Sequence, residues 1–174
     1  MAGSQQPDGV FFVTICTKGH EGILGSIEND EMVLSEAGMA VQDCIETINK
    51  VYPSVLVDSS CIMPNHIHLL LICLAYPNNV PLHQLIQQFK SSASKKARRS
   101  LWESYRLPEK IIVNHTVVNA RQYIRDNAWR WVSDCYHPDS LQATLAAEER
   151  KSRKASHARY TDAPEDVPPP EEEP

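Results

Sequence analysis

The chain has 174 residues, a net charge of −5 and an apolar fraction of 42%, enough for one domain with a real core and too apolar for wholesale disorder. No apolar run approaches the roughly 20 residues of a membrane helix, and the first six residues lack the basic start and apolar centre of a secretory signal. Five cysteines (Cys16, Cys44, Cys61, Cys73, Cys135) are scattered without a C-x-x-C pair, which fits reduced thiols in a cytoplasmic protein rather than a disulfide framework or a zinc knuckle.

Residues 10–18, rich in β-branched and aromatic side chains, read as a first strand. Residues 19–31, with three glycines and several acids, read as a loop with room for a short strand. Ser35 is placed to cap a helix reaching about Val51, with Ala37, Ala40, Val41, Cys44, Ile45 and Ile48 as its apolar stripe, and Pro53 ends it. Strands are expected over 54–63 and 67–74, joined at Pro64-Asn65. The second is nearly all apolar after His68, as a central strand covered on both faces would be. Residues 76–79 read as a turn, and Pro81 opens a helix to about Leu101. A strand over 111–115 and a helix over 119–132, capped by Asn119, follow. A last helix is expected over 140–154. The order β-α-β-β-α-β-α favours an α+β domain with an antiparallel sheet over a doubly wound one.

Charge is unevenly spread. The last fourteen residues hold six acids and no base, whereas residues 83–130 hold ten Lys or Arg against three acids. Lys90, Lys95, Lys96, Arg98 and Arg99 are spaced by serines on one expected helix and could track phosphates, although a solvated helix face is the ordinary explanation of such a run. The proline- and acid-rich tail, 161–174, should be disordered, and 139–160 is expected to be a helical, basic extension.

The sharpest chemical signal is Met63-Pro64-Asn65-His66-Ile67-His68. On an extended strand His66 and His68 share one face, forming half of a metal site; the alternative is a pair of hydrogen-bonded core histidines. On the later helix Tyr123 and Asn127, four residues apart, share a face. Asn127 offers a carbonyl oxygen as a third ligand for a hard divalent ion, and Tyr123 a phenol that becomes a nucleophile once its oxyanion is stabilised. A packed surface tyrosine beside a solvated Asn is the competing reading.

With these residues in view, the chain resembles the single-tyrosine HUH transposases, especially the REP-associated and related IS-type transposase-like proteins. The resemblance is carried in order by the Met63 to His68 motif, Phe89-Lys90, Trp102-Glu103-Ser104-Tyr105 with Ile111-Ile112, and Tyr123-Ile124-Arg125-Asp126-Asn127-Ala128 with Trp131 and Asp134. It covers residues 10–138, after a flexible 1–9. It implies a ferredoxin-like antiparallel sheet with helices on one face, the HUH palm. It also implies Mg²⁺ or Mn²⁺ held by His66, His68 and Asn127, with Tyr123 attacking single-stranded or hairpin DNA to give a 5′-phosphotyrosine link and a free 3′-OH. DNA contacts would fall on Lys90, Lys95, Lys96, Arg98, Arg99, Arg121 and Arg125, in a cytoplasmic, nucleoid-associated monomer or homodimer. Ala128 replaces the family's usual Pro, Glu103-Ser104 replaces Gln-Arg, 106–109 is about one residue longer than usual, and the acidic tail is atypical. The other readings are a domesticated relative that binds hairpin DNA without cutting it and a histidine-triad-like phosphoester hydrolase. The latter is weakened because only two histidines alternate.

Overall fold

The computed structural model describes residues 9–74, 80–103, 109–111 and 114–140. The expected turn at 76–79, the helix over 140–154 and the acidic tail lie outside the described residues.

The chain opens with strand β1 (Gly9–Cys16), followed by the hairpin β2 (Gly25–Glu28) and β3 (Glu31–Leu34), helix α1 (Glu36–Val51), and strands β4 (Val55–Ile62) and β5 (His66–Cys73). Helix α2 (Leu82–Lys96), the short strand β6 (Glu109–Ile111) and helix α3 (Asn114–Asp126) complete it. Four strands form a sheet in the order β4-β5-β1-β6, each neighbouring pair antiparallel. The fold is α+β with an antiparallel sheet, as expected. No helix among the described residues is long and apolar enough to cross a membrane.

Strand alternation sorts β5 into two faces. Ile67, Leu69, Leu71 and Cys73 enter the main core with Phe11, Val13 and Ile15 of β1, under Val41, Ile45 and Ile48 of α1 and Leu85, Ile86 and Phe89 of α2. His66, His68 and Leu70 point the other way, and there Leu70 packs with Ala120 and Ile124 of α3 beside Phe12 and Cys61. The two earlier helices share one face, and α3 lies across the opposite one. Ile67, Leu69 and Leu71 are fully buried, so Leu69→Ala should cost about 2–5 kcal/mol of unfolding free energy in a denaturant titration.

Ser35 caps α1 as its sequence position requires, its hydroxyl accepting from the Gly38 amide at 3.1 Å. Gly38 is needed because a Cβ there would stand 2.1 Å from the Leu24 carbonyl oxygen. Elsewhere the boundaries move. Residues 25–34 form a hairpin turning through Asn29 and Asp30, both at positive φ. Helix α2 stops at Lys96, because Arg98 takes a positive φ. Leu101 and Trp102 then return to the sheet, where Lys18 donates to the Leu101 carbonyl at 2.8 Å and Trp102 bridges Thr17. Helix α3 begins at Asn114, five residues before the expected cap, so Asn119 lies within it and Asn114 and His115 are helical. A bulge between Val57 and Ser59 shifts the β4 register. Asp58, at the bulge, meets Arg121 of α3 through two guanidinium bonds of 2.6 and 2.8 Å.

Candidate active site

The antiparallel register sets His66 opposite Cys16 and His68 opposite Thr14, and the two imidazole centroids are 4.7 Å apart. Both side chains are buried. The His66 Nδ1 lies 2.9 Å from Asn65 Oδ1. The Asn65 amide nitrogen already donates to the carbonyl oxygens of His20 and Tyr136, at 3.2 and 2.8 Å. Its Oδ1 is therefore the accepting end, His66 Nδ1 donates to it, and the lone pair of His66 falls on Nε2. His68 Nδ1 is 2.9 Å from the Thr14 hydroxyl, which can accept in the same way. Neither Nε2 has a hydrogen-bond partner.

Burial, reinforced by the nearby His68 and His20, holds the His66 pKa well below its ordinary 6.5. Burial alone pushes His68 down to about 3. Both rings are thus neutral at physiological pH, the state in which imidazole binds a metal.

Tyr123 projects from α3 with its ring centroid 5.3 Å from that of His68 and edge-on to it. Its hydroxyl faces Asp134 Oδ2 at 3.4 Å. Burial, aided by the Asp134 charge, raises the phenol to about 12, while Asn127 pulls it down. Asn127 follows the last residue of α3. It is buried, and neither end of its carboxamide has a partner of ordinary hydrogen-bond geometry.

Asp134 was recognised in the sequence only as a position of the family resemblance. It stands just past a 3-10 turn, Trp131–Ser133, where helical spacing gives no signal. One ligand atom each from His66, His68 and Asp134 lies within 4.8 Å of the others. The Tyr136 amide donates to its Oδ1 at 2.7 Å, and burial raises its carboxyl pKa. Tyr136 itself covers the imidazoles, its ring centroid 4.6 Å from that of His66.

Unpartnered buried polar atoms each cost about 1–3 kcal/mol. Here two imidazole nitrogens and both ends of the Asn127 carboxamide are left so, with a carboxylate beside the imidazoles. That mixed nitrogen and oxygen set suits a divalent cation such as Mn²⁺, and Mg²⁺ where oxygens complete the shell.

The basic residues do not gather here. Lys90 donates to the Glu103 carbonyl at 2.6 Å and Lys96 pairs with Asp43 at 2.6 Å. Lys95, Arg98 and Arg99 are exposed on or just beyond α2, which packs on the face away from the imidazoles, and Arg125 is exposed on α3. Arg121 is engaged by Asp58. Because the apolar cluster under α3 is small, this pair steadies the helix that carries Tyr123. In the Asp58→Asn variant, amide hydrogens of residues 120–124 should exchange several-fold faster than in the parent, while those of β5 keep their rates.

No protein-family model matches the chain. A relative from Haemophilus influenzae, named only as an uncharacterized protein, is 26% identical over 156 residues, spanning 76% of this chain and 87% of that one. Among solved structures, a REP-associated tyrosine transposase bound to a REP hairpin superposes with a TM-score of 0.55 and 12% identity, over 75% of this chain and 74% of that one. A candidate transposase from Deinococcus radiodurans gives a TM-score of 0.47 and 17% identity over 72% of this chain and 95% of that one. The likeness to the hairpin-bound protein establishes a transposase-like fold.

Proposed function

We propose that this protein nicks and rejoins single-stranded DNA through a covalent link to Tyr123, acting on sequences that form hairpins. The observation that carries the reading is that the Tyr123 ring lies edge-on to His68, one of two neutral, buried imidazoles whose Nε2 atoms have no partner. The transposase-like fold supports it, and the hairpin bound by the structural neighbour suggests the form of the substrate. His66, His68 and Asn127 would hold a divalent ion, Mg²⁺ or Mn²⁺, with Asp134 bordering the same space. Bound there, such an ion supplies Lewis-acid neutralisation of charge on the scissile phosphate.

The remaining steps belong to the chain. Asp134 Oδ2 accepts the proton of the Tyr123 hydroxyl, which it already faces. Tyr123 Oη then attacks phosphorus, forming the 5′-phosphotyrosine bond as the P–O3′ bond breaks. The departing O3′ takes up a proton and leaves as a free 3′-OH, which can reverse the reaction to join strands. Tyr136 and Trp131 pack around His66 and give the imidazoles an aromatic cover.

The test is incubation with 5′- and 3′-labelled hairpin oligonucleotides and Mn²⁺, followed by a denaturing gel. A band of protein covalently joined to the 5′-phosphate side is expected, and it must vanish with EDTA. Binding with no adduct on any hairpin would remove the nicking reading and leave a hairpin-binding regulator.

A further inference from the structure

A cavity of about 680 Å³ opens beside His68 and Tyr123, between β1 and α3. Phe12 and Tyr136 supply aromatic surface on its walls, Asn119 and Gln122 line it with carboxamides, and Arg130 adds a cation. Phe12 and Tyr136 border the imidazoles, whereas Asn119, Gln122 and Arg130 have no part in the steps above. Phe12 stands on the same sheet face as His68, its centroid 5.0 Å from that ring and 6.0 Å from Tyr123.

The placement follows from helix geometry. Asn119 and Tyr123 are four residues apart on α3, so their side chains lie on one side of the helix about 6 Å apart along its axis. Gln122, three residues from Asn119, borders the same side. Its amide donates to Asp126 Oδ1 at 2.7 Å, which fixes the amide end and leaves the carbonyl end to meet a donor. A phosphodiester held at Tyr123 thus has, one helical turn away, a recess with aromatic walls and carboxamide edges. Aromatic faces bind unpaired bases by stacking, and Asn and Gln read their hydrogen-bonding edges. Arg130, itself 3.6 Å from Asp126, puts positive charge where the backbone would leave the recess.

We infer that this cavity seats one unpaired nucleobase, on the nucleotide next to the bond that Tyr123 attacks, and that Asn119 and Gln122 discriminate among bases there. The inference rests on the single-strand nicking proposed above. It assigns sequence selection at that nucleotide to α3 rather than to the basic residues of α2.

The full-length Tyr123→Phe protein in EDTA isolates this site from the chemistry. It is titrated with dAMP, dGMP, dCMP, TMP and deoxyribose 5-phosphate while the side-chain amide resonances of Asn119 and Gln122 are followed by NMR. At least one nucleotide should shift both resonances, the sugar phosphate should not, and a single-stranded oligonucleotide carrying that base should compete. Gln122→Ala should weaken the preferred nucleotide about fivefold or more and narrow its margin over the others. Equal shifts by deoxyribose 5-phosphate, no shift with any base, or a nucleotide shift that the oligonucleotide fails to displace would each overturn the inference. The two readings fail separately. Adduct formation by the parent protein without base-dependent shifts removes the base site alone. Base-dependent shifts without an adduct remove the nicking and leave a base-binding recess.

Discussion

Tyr123→Phe should abolish the covalent protein–DNA product, a loss of about 10³-fold or more, while DNA binding stays within about twofold of the parent. The substitution removes only the hydroxyl. That hydroxyl makes only a long 3.4 Å approach to Asp134 and a weak contact with Asn127, so unfolding free energy should change by less than about 1 kcal/mol. Tyr136 provides the control: it lies against the same imidazoles, yet its hydroxyl is not the one facing Asp134, and burial pushes its pKa upward as well. Tyr136→Phe should retain the adduct. If the adduct survives Tyr123→Phe and disappears with Tyr136→Phe, the nucleophile has been misassigned. The pH dependence has a definite sign. With the Tyr123 phenol raised to about 12, its ionised fraction grows about tenfold per pH unit in the neutral range. With Asp134 also able to take the proton, initial adduct rates should hold or climb from pH 7 to 9, and rates that fall over that interval would contradict attack by this phenolate.

His68→Leu should separate stability from function. In EDTA the parent carries a buried imidazole whose Nε2 has no partner, and replacing it by an apolar side chain of similar size should raise stability by about 1 kcal/mol. The same change should lower adduct formation on the order of 10³-fold by removing a ligand. It should also cancel metal-induced stabilisation, which for the parent at a hundredfold excess of Mn²⁺ over Kd is about 2.7 kcal/mol. Acid exposes the difference further. The unfolded His68 takes a proton near pH 6.5, the folded one only near 3. The folded state is therefore favoured above 6.5 and loses up to about 1.4 kcal/mol per pH unit as pH falls through that window. The variant lacks this contribution, so its stability should fall less steeply on acidification. A parent whose midpoint is unchanged by Mn²⁺, or a variant that keeps the metal response, would remove the histidine pair from the metal site.

Local chemistry was legible where it was decided locally. Ser35 caps α1 because its hydroxyl serves an amide three residues away, and the alternation of His66 and His68 needs only an extended strand. What tertiary context decided was not legible. Leu101 continues an apolar helical pattern, yet the turn at Arg98 sends it back to pair beside β1. Asn119 looks like a helix cap because the β-branched residues before it suggest a strand, and α3 begins five residues earlier. Asp58 meets Arg121 only because a bulge shifts the β4 register, so a residue expected at DNA is drawn into an ion pair within the protein. Asp134 reaches the imidazoles from a turn whose path no periodicity encodes. The pair Tyr123 and Asn127 kept its spacing across the helix end, which is why their common side could be anticipated although the helix boundaries could not.

Asn65 ties the protonation pattern of His66 to completion of the fold. Its amide can orient its oxygen toward the imidazole only when two carbonyls far apart in the chain, those of His20 and Tyr136, stand ready to receive its hydrogens. Before the segment around Tyr136 closes, either ring nitrogen of His66 is free to carry the proton. Docking of the residues around Tyr136 onto β5 thus fixes which edge of the His66 ring carries the lone pair.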